Sequence, residues 1–209
     1  MEKKHASSMM CSFLQRFDKE RLLGQKALVV WLTGLSGSGK TTIAIDLEKR
    51  LHEMGFKTQV FDADFIRTSI NRDLDFSMEG RIENIRRMAA ISRLFLEAGL
   101  VVISCFISPT RRIRQLARTI IGADDYCEVY VNAPFEVCEA RDPKGLYKKA
   151  RLGELKDFTG IDSPYEPPEH PDLEIRTDQC SVSDAVSELI DFILPKIVFK
   201  EQPLCNPTT

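Results

Sequence analysis

The stretch Gly34-Leu35-Ser36-Gly37-Ser38-Gly39-Lys40-Thr41 decides the fold of this chain. It meets the pattern G-x-x-x-x-G-K-[ST] at every fixed position and stands in the context that pattern needs. The apolar run 27–32 before it reads as a buried strand, and Thr41 to about Met54 after it reads as an amphipathic helix. Glycines let the backbone fold around an anion so that successive N–H groups point at it. The helix N-terminus adds partial positive charge. On this reading the loop cradles a nucleoside triphosphate, with Lys40 reaching the β- and γ-phosphates. The Thr41 hydroxyl then completes a Mg2+ shell otherwise made of water and phosphate oxygens. A chance Gly/Ser-rich turn is the bland alternative, and the ordered strand, motif and helix weigh against it.

Outward from the loop, short runs rich in Val, Ile and Leu recur at 27–32, 58–61, 100–106 and 128–131. Longer segments with helical spacing lie between them. In 81–98 the set Ile82, Ile85, Met88, Ala89, Ser92, Phe95 and Leu96 repeats every three or four residues, and a second such stretch follows Pro109. Strands alternating with helices imply parallel pairing with right-handed crossovers, hence a three-layer α/β sandwich. Two regions break the rhythm. Residues 141–156 are densely basic and read as one solvated, mobile helix, and 162–171 holds four prolines and must be loop. A strand at 173–176 and a helix from about Ser183 to Leu194, ended by Pro195, close the domain. Residues 1–24 and 200–209 read as an arm and a tail around one domain, 25–199.

Composition limits the alternatives. At 209 residues one domain is the default, and 43% apolar content supplies a core and excludes disorder. The 29 basic and 31 acidic residues nearly balance, which argues against nucleic acid as a partner. No run nears the roughly 18 apolar residues of a membrane span. Six scattered cysteines without a C-x-x-C pair suit reduced thiols in the cytoplasm.

Several residues carry candidate chemistry beyond the loop. No N-K-x-D is present, which disfavours a GTPase, and the third strand ends in Ile107-Ser108-Pro109 without an aspartate. Carboxylates instead follow the second strand at Asp62 and Asp64. Either could order a magnesium-bound water or take a proton from an attacking hydroxyl, or simply cap the next helix. Behind them come Arg67, Arg72, Arg81, Arg86 and Arg87, planar forks suited to an anionic acceptor. Arg86 and Arg87 are adjacent and are not expected to point the same way. Phe76 and Phe158 stand in polar loops, where a ring either plugs the core edge or stacks on a base. These features suit a kinase for a small acceptor.

From about Ala27 to Leu194 the chain resembles the adenylyl-sulfate (APS) kinases. The resemblance rests on 34–42, Asp62-Ala63-Asp64 with Arg67, and Asn71…Leu74…Phe76-Ser77. Further matches are Glu83-Asn84-Ile85-Arg86-Arg87, 106–109, 141–148 (R-D-P-K-G-L-Y-K) and 158–162 (F-T-G-I-D). It implies that Mg-ATP phosphorylates the ribose 3′-OH of adenosine 5′-phosphosulfate to give PAPS and ADP. It implies that Phe76 and Phe158 sandwich the APS adenine beside Ile107, and that Arg67, Arg81 and Asn84 hold phosphosulfate and ribose. Residues 141–156 become a lid, with Lys144 on APS and Arg141 near ATP, and Thr42 joins the phosphate loop. A homodimer and coupling to ATP sulfurylase are also implied. The family's serine here, Ser108, is described as a phosphorylated intermediate; before Pro109 it could equally be a helix cap.

Three positions depart from the family pattern: Ala63 in D-G-D, Asp75 in L-G-F and Gly80 in D-R-x-E-N. One carboxylate is gained and one lost beside the expected acceptor residues. Two alternatives remain open on the sequence, a kinase for another anionic nucleotide or metabolite and a non-catalytic nucleotide-sensing partner.

Overall fold

Alternate side chains of strand β1 (Leu28–Thr33) enter two separate cores, Leu28, Val30 and Leu32 on one side and Val29 and Trp31 on the other. All six residues are buried, as expected for a parallel strand covered on both faces. The computed structural model describes residues 13–200. After helix α1 (Arg16–Leu23) and β1 come α2 (Lys40–Glu53), β2 (Thr58–Asp62), α3 (Ala63–Thr68) and α4 (Met78–Glu97). Then follow β3 (Val101–Cys105), α5 (Arg111–Ile121), β4 (Tyr126–Asn132), α6 (Phe135–Arg141), α7 (Leu146–Arg151), β5 (Leu173–Arg176) and α8 (Val182–Ile197). The strands pair in the order β2-β3-β1-β4-β5, all parallel.

Helices α2 and α8 cover one face through Ile43, Leu47 and Leu51 and through Val186, Leu189 and Ile193. Helices α4 and α5 cover the other through Ile85, Met88 and Leu96 and through Ile113, Ala117 and Ile121. The expected three-layer α/β architecture with a central parallel sheet is what the chain forms. A third, small core of Ala133, Cys138, Tyr147 and Phe158 lies under α6 and α7. Among the described residues no helix is long and apolar enough to cross a membrane.

Four local expectations are corrected. Helix α8 runs through Pro195 to Ile197: Val198 N still donates to Leu194 O at 3.1 Å, and the fully buried Ile193 and Ile197 hold the last turn on the sheet. The stretch 141–156 is not one helix. Helix α6 ends at Arg141, and α7 starts after the left-handed Gly145. The arm expected to residue 24 contains α1, which is tied to the domain. Buried Glu20 accepts from Arg16 Nε at 2.7 Å and Ala27 N at 2.8 Å, and Arg16 also bonds Asp125 at 2.7 Å. This anchoring is polar, so apolar periodicity does not announce it. Residues 1–12 and 201–209 lie outside the described residues. Finally, Arg86 and Arg87 both reach Glu83, at 2.6 and 2.9 Å, because i+3 and i+4 are both neighbours of position i on a helix.

Candidate active site

In an open parallel sheet, ligands bind at the carboxyl ends of the strands where the strand order reverses, here beside β1. A cavity of about 930 Å³ opens there. The phosphate loop follows β1, Asp62 ends β2, Ser108 follows β3, Arg141 ends the helix after β4, and Thr177 follows β5.

Ser36, Gly37, Gly39, Lys40, Thr41 and Thr42 line the cavity. Gly37 has φ 77°, and a Cβ there would stand 2.7 Å from the Cys138 carbonyl oxygen, so a side chain is excluded by both conformation and space. Gly34, Leu35 and Ser38 stand behind the wall and hold Lys40. Its Nζ donates to the carbonyls of Gly34 at 2.8 Å and Leu35 at 2.7 Å, and to Ser38 Oγ at 3.5 Å. Burial lowers Lys40 from 10.5 to about 8. Between those values the unfolded chain binds the proton the native chain has lost, so this group's contribution to stability rises with pH through that window.

For function the sign is opposite, because the phosphates need the ammonium. Since kcat/KM reports the free enzyme, kcat/KM for ATP should fall about tenfold per pH unit on the alkaline side of the Lys40 value of about 8. At saturating ATP, kcat should lack this limb, because adjacent phosphate charge raises the ammonium's pKa. A pH series of initial rates checks this; a kcat/KM flat to about pH 9.5 contradicts it.

Asp62 and Asp64 stand in different surroundings. Asp62 is the N-cap of α3, its Oδ1 accepting from Asp64 N at 3.0 Å, while its Oδ2 accepts from Thr41 Oγ1 at 2.8 Å. A hydroxyl and a carboxylate thus stand together at the loop, hard oxygen donors of the kind Mg2+ takes directly or through water. Asp64 is exposed toward the cavity and ion-paired with Lys144 from the α6–α7 turn.

Ser108 does not cap α5; Thr110 does, its Oγ1 accepting from Ile113 N at 3.3 Å. Ser108 is buried with φ 46°, a conformation costing of order 1–3 kcal/mol outside glycine. The surroundings impose it. Trp31 Nε1 donates to Ser108 Oγ at 2.9 Å, and Arg114 donates to its carbonyl at 2.9 Å. Arg114 is itself buried and paired with Glu128 at 3.0 Å.

At the other end the cavity is lined by Arg67, Phe76, Arg81, Asn84, Ile107 and Phe158. Arg81 is buried and Arg67 half-buried, and burial, the largest cause, lowers the pKa of each. Among the described residues no carboxylate lies within ion-pair distance of either guanidinium. Arg81 is nevertheless held. It donates to Phe76 O at 2.8 Å, to Thr159 Oγ1 at 2.6 Å and to the Asp157 carbonyl, so it joins α4 to residues 157–159. Arg67 lies 4.0 Å over the Phe76 ring. Arg87, by contrast, is neutralised by Asp73 and Glu83 and stands apart from the cavity. Asn84 Oδ1 accepts from Asn71 Nδ2 at 2.9 Å, which orients its amide.

The two rings differ. Phe158 is buried in the small core under α6 and α7, edge-on to Tyr147 with centroids 4.9 Å apart, while Phe76 is half exposed. Phe158 therefore plugs a core and lines the cavity at once. Tyr147 Oη donates to Ser36 O at 2.9 Å, linking α7 to the phosphate loop. Arg141 reaches Gly37 O at 3.3 Å and the Thr177 carbonyl at 2.8 Å.

Thr177, Tyr147 and Thr159 are the structural members that sequence reasoning missed. Thr177 Oγ1 donates to Ser38 O at 2.8 Å. Its signal was available, since it directly follows β5 and the carboxyl end of each strand faces the crevice. Tyr147 and Thr159 act through partners more than 75 residues away in the chain, and no local pattern reports such contacts.

Comparison with known proteins agrees with this geometry. The family model for adenylylsulphate kinase matches residues 26–176. An adenylyl-sulfate kinase of Bacteroides thetaiotaomicron is 51% identical over 196 residues, 94% of this chain and 98% of that one. A bifunctional enzyme CysN/CysC of Xylella fastidiosa is 52% identical over 175 residues, 84% of this chain but 28% of that one. The Mycobacterium tuberculosis APS kinase CysC, solved in complex with AMPPNP and APS, superposes with a TM-score of 0.78 at 44% identity, covering 81% of this chain and 98% of that one. The chain belongs to the adenylylsulphate kinase family.

Proposed function

We propose that this protein transfers the γ-phosphoryl group of ATP to the ribose 3′-hydroxyl of APS, releasing PAPS and ADP. One observation carries the acceptor assignment: two arginines, Arg67 and Arg81, line the same cavity as the phosphate loop without a carboxylate partner among the described residues. Asp64 and Asp75 act on Arg67, and Asp157 and Asp162 on Arg81, only from beyond ion-pair distance. A half-buried or buried cation without a close partner is costly, and a phosphosulfate would supply that partner. That the M. tuberculosis relative was solved with AMPPNP and APS supports the same pair of ligands here.

Lys40 leaves its loop carbonyls for the β- and γ-phosphates, and Thr41 and Asp62, which stand together at the loop, would hold Mg2+. When bound, that ion screens charge on the transferring phosphates. Asp64 accepts the proton of the 3′-hydroxyl as the new O–P bond forms and the bond to the β-phosphate oxygen breaks. Lys144 turns from Asp64 to the acceptor's anionic group. Phe76 and Phe158 enclose the adenine next to Ile107, Asn84 meets the ribose, and Arg141 meets ATP. Ser108 serves by position: direct transfer needs alignment and charge neutralisation, and its oxygen is engaged by Trp31. The lid excludes water and so protects ATP from hydrolysis. The reading extends to a cytoplasmic homodimer. The occurrence of a similar domain inside a longer bifunctional enzyme supports functional coupling to the sulfurylase that would supply APS.

A coupled ADP-release assay with Mg-ATP and micromolar APS tests the reading. Turnover with APS is expected; turnover only with another anionic acceptor replaces the substrate, and none with any acceptor leaves a nucleotide sensor. Phe76→Ala should raise KM for APS about tenfold with little change in KM for ATP, as lost base stacking does.

A further inference from the structure

Helix α4 begins with a cap built from the wrong side. In a capping box the third helical residue accepts the backbone N–H of the N-cap. Helix α1 has one, Gln15 N donating to Asp18 Oδ2 at 3.1 Å. In α4 the N-cap is Ser77 and the third residue is Gly80, which has no side chain. The acceptor comes instead from two residues before the cap. Asp75 Oδ1 accepts from Ser77 N at 3.1 Å and from Ser77 Oγ at 2.6 Å, and Ser77 Oγ accepts from Gly80 N at 3.1 Å.

The carboxylate also fills the space a side chain at position 80 would use. A Cβ on Gly80 would collide with Asp75 Oδ1 and stand 2.7 Å from the Asp75 carbonyl oxygen. Gly80 is buried in a helix, where glycine is otherwise unfavourable; here its missing side chain is a receptacle.

Phe76 lies between these partners. Arg67 Nη1 donates to Leu74 O at 3.3 Å and Asp75 O at 3.0 Å, Arg81 Nε donates to Phe76 O at 2.8 Å, and the Arg67 guanidinium covers the ring. Both cavity arginines thus touch the backbone that the Asp75 cap anchors to α4.

We infer that Asp75 and Gly80 form one device, a carboxylate and the gap that receives it, which positions Phe76 and Arg67 on the acceptor wall and so sets acceptor affinity. The inference rests on the reading that Phe76 faces the acceptor. Asp75 and Gly80 are positioning residues, acting through Phe76 and Arg67.

Steady-state kinetics and thermal unfolding test it on Gly80→Ala, Asp75→Ala, Asp75→Asn, Asp75→Gly, Gly80→Asp, the double variant Asp75→Gly/Gly80→Asp and Phe76→Ala. Gly80→Ala should raise KM for APS about tenfold and Asp75→Ala about fivefold, the size of a lost cap, with kcat and KM for ATP within about twofold. Asp75→Asn should stay within about twofold of the parent, because its amide oxygen accepts the same two hydrogen bonds. The double variant Asp75→Gly/Gly80→Asp returns the carboxylate to the ordinary capping-box position. It should lie within about threefold of the parent, well below the product of its two single-variant effects. Parallel changes in both KM values, or multiplicative single effects, would overturn the device. If Phe76→Ala leaves KM for APS unchanged, the acceptor reading itself falls, and the device with it. Should Gly80→Ala not fold, Asp75→Ala and its rescue by Asp75→Asn decide the matter.

Discussion

Replacing Lys40 by Met should lower kcat by about a thousandfold, the scale of losing a preorganised cationic donor to a transferring phosphoryl group. Stability should change little. The native Nζ makes two good bonds to Gly34 and Leu35 carbonyls, but its charge is buried at a cost visible in the lowered pKa of about 8. Methionine removes the bonds and the desolvated charge together, and keeps the length of the chain. Lys40→Arg should not rescue, because a planar fork does not fit a cleft shaped for a point charge. The checks are kcat from ADP release and melting temperature on the same samples. A kcat within tenfold of the parent removes Lys40 from the reaction, and a collapse in melting temperature makes its role structural.

Asp64→Asn should lower kcat by roughly a hundredfold to ten-thousandfold, the range for losing a general base. One confounder has a direct control. The substitution also strips Lys144 of its ion-pair partner, so a deficit could come from a lysine left in the wrong place. Lys144→Met should raise KM for APS and leave kcat within about tenfold, since an exposed ion pair contributes little on its own. The double variant should retain the full kcat deficit of Asp64→Asn. If instead Lys144→Met restores the rate of Asp64→Asn, the carboxylate serves only to place the lysine. Asp62→Asn, which weakens the Thr41 contact, should act mainly on the Mg2+ concentration needed for half-maximal rate.

Much of the site is legible without coordinates. The phosphate loop is a contiguous string whose chemistry depends on its own backbone, and the buried strands show as apolar runs because both faces of a parallel sheet are covered. The stretch Leu173–Arg176 is a strand within the bounds its pattern suggests. Where a pattern is polar or non-local, it says less. Helix α1 docks through Arg16 and Glu20 rather than an apolar face. Pro195 does not end its helix, because core packing of Ile197 outweighs one missing hydrogen bond.

By itself the sequence determined that a parallel α/β sheet presents a glycine-lined anion cradle, since local backbone chemistry and strand or helix periodicity suffice for both. Only the tertiary structure decided which charges are free to work. It neutralised Arg87 against Asp73 and Glu83, left Arg67 and Arg81 facing a cavity, separated Asp62 from Asp64, and set Asp75 into the gap at Gly80. The reason is physical. A side chain's charge is spent or spared by whatever lies within about 4 Å of it, and which neighbour that is depends on how the loops and helices pack, even where the partners are near in sequence.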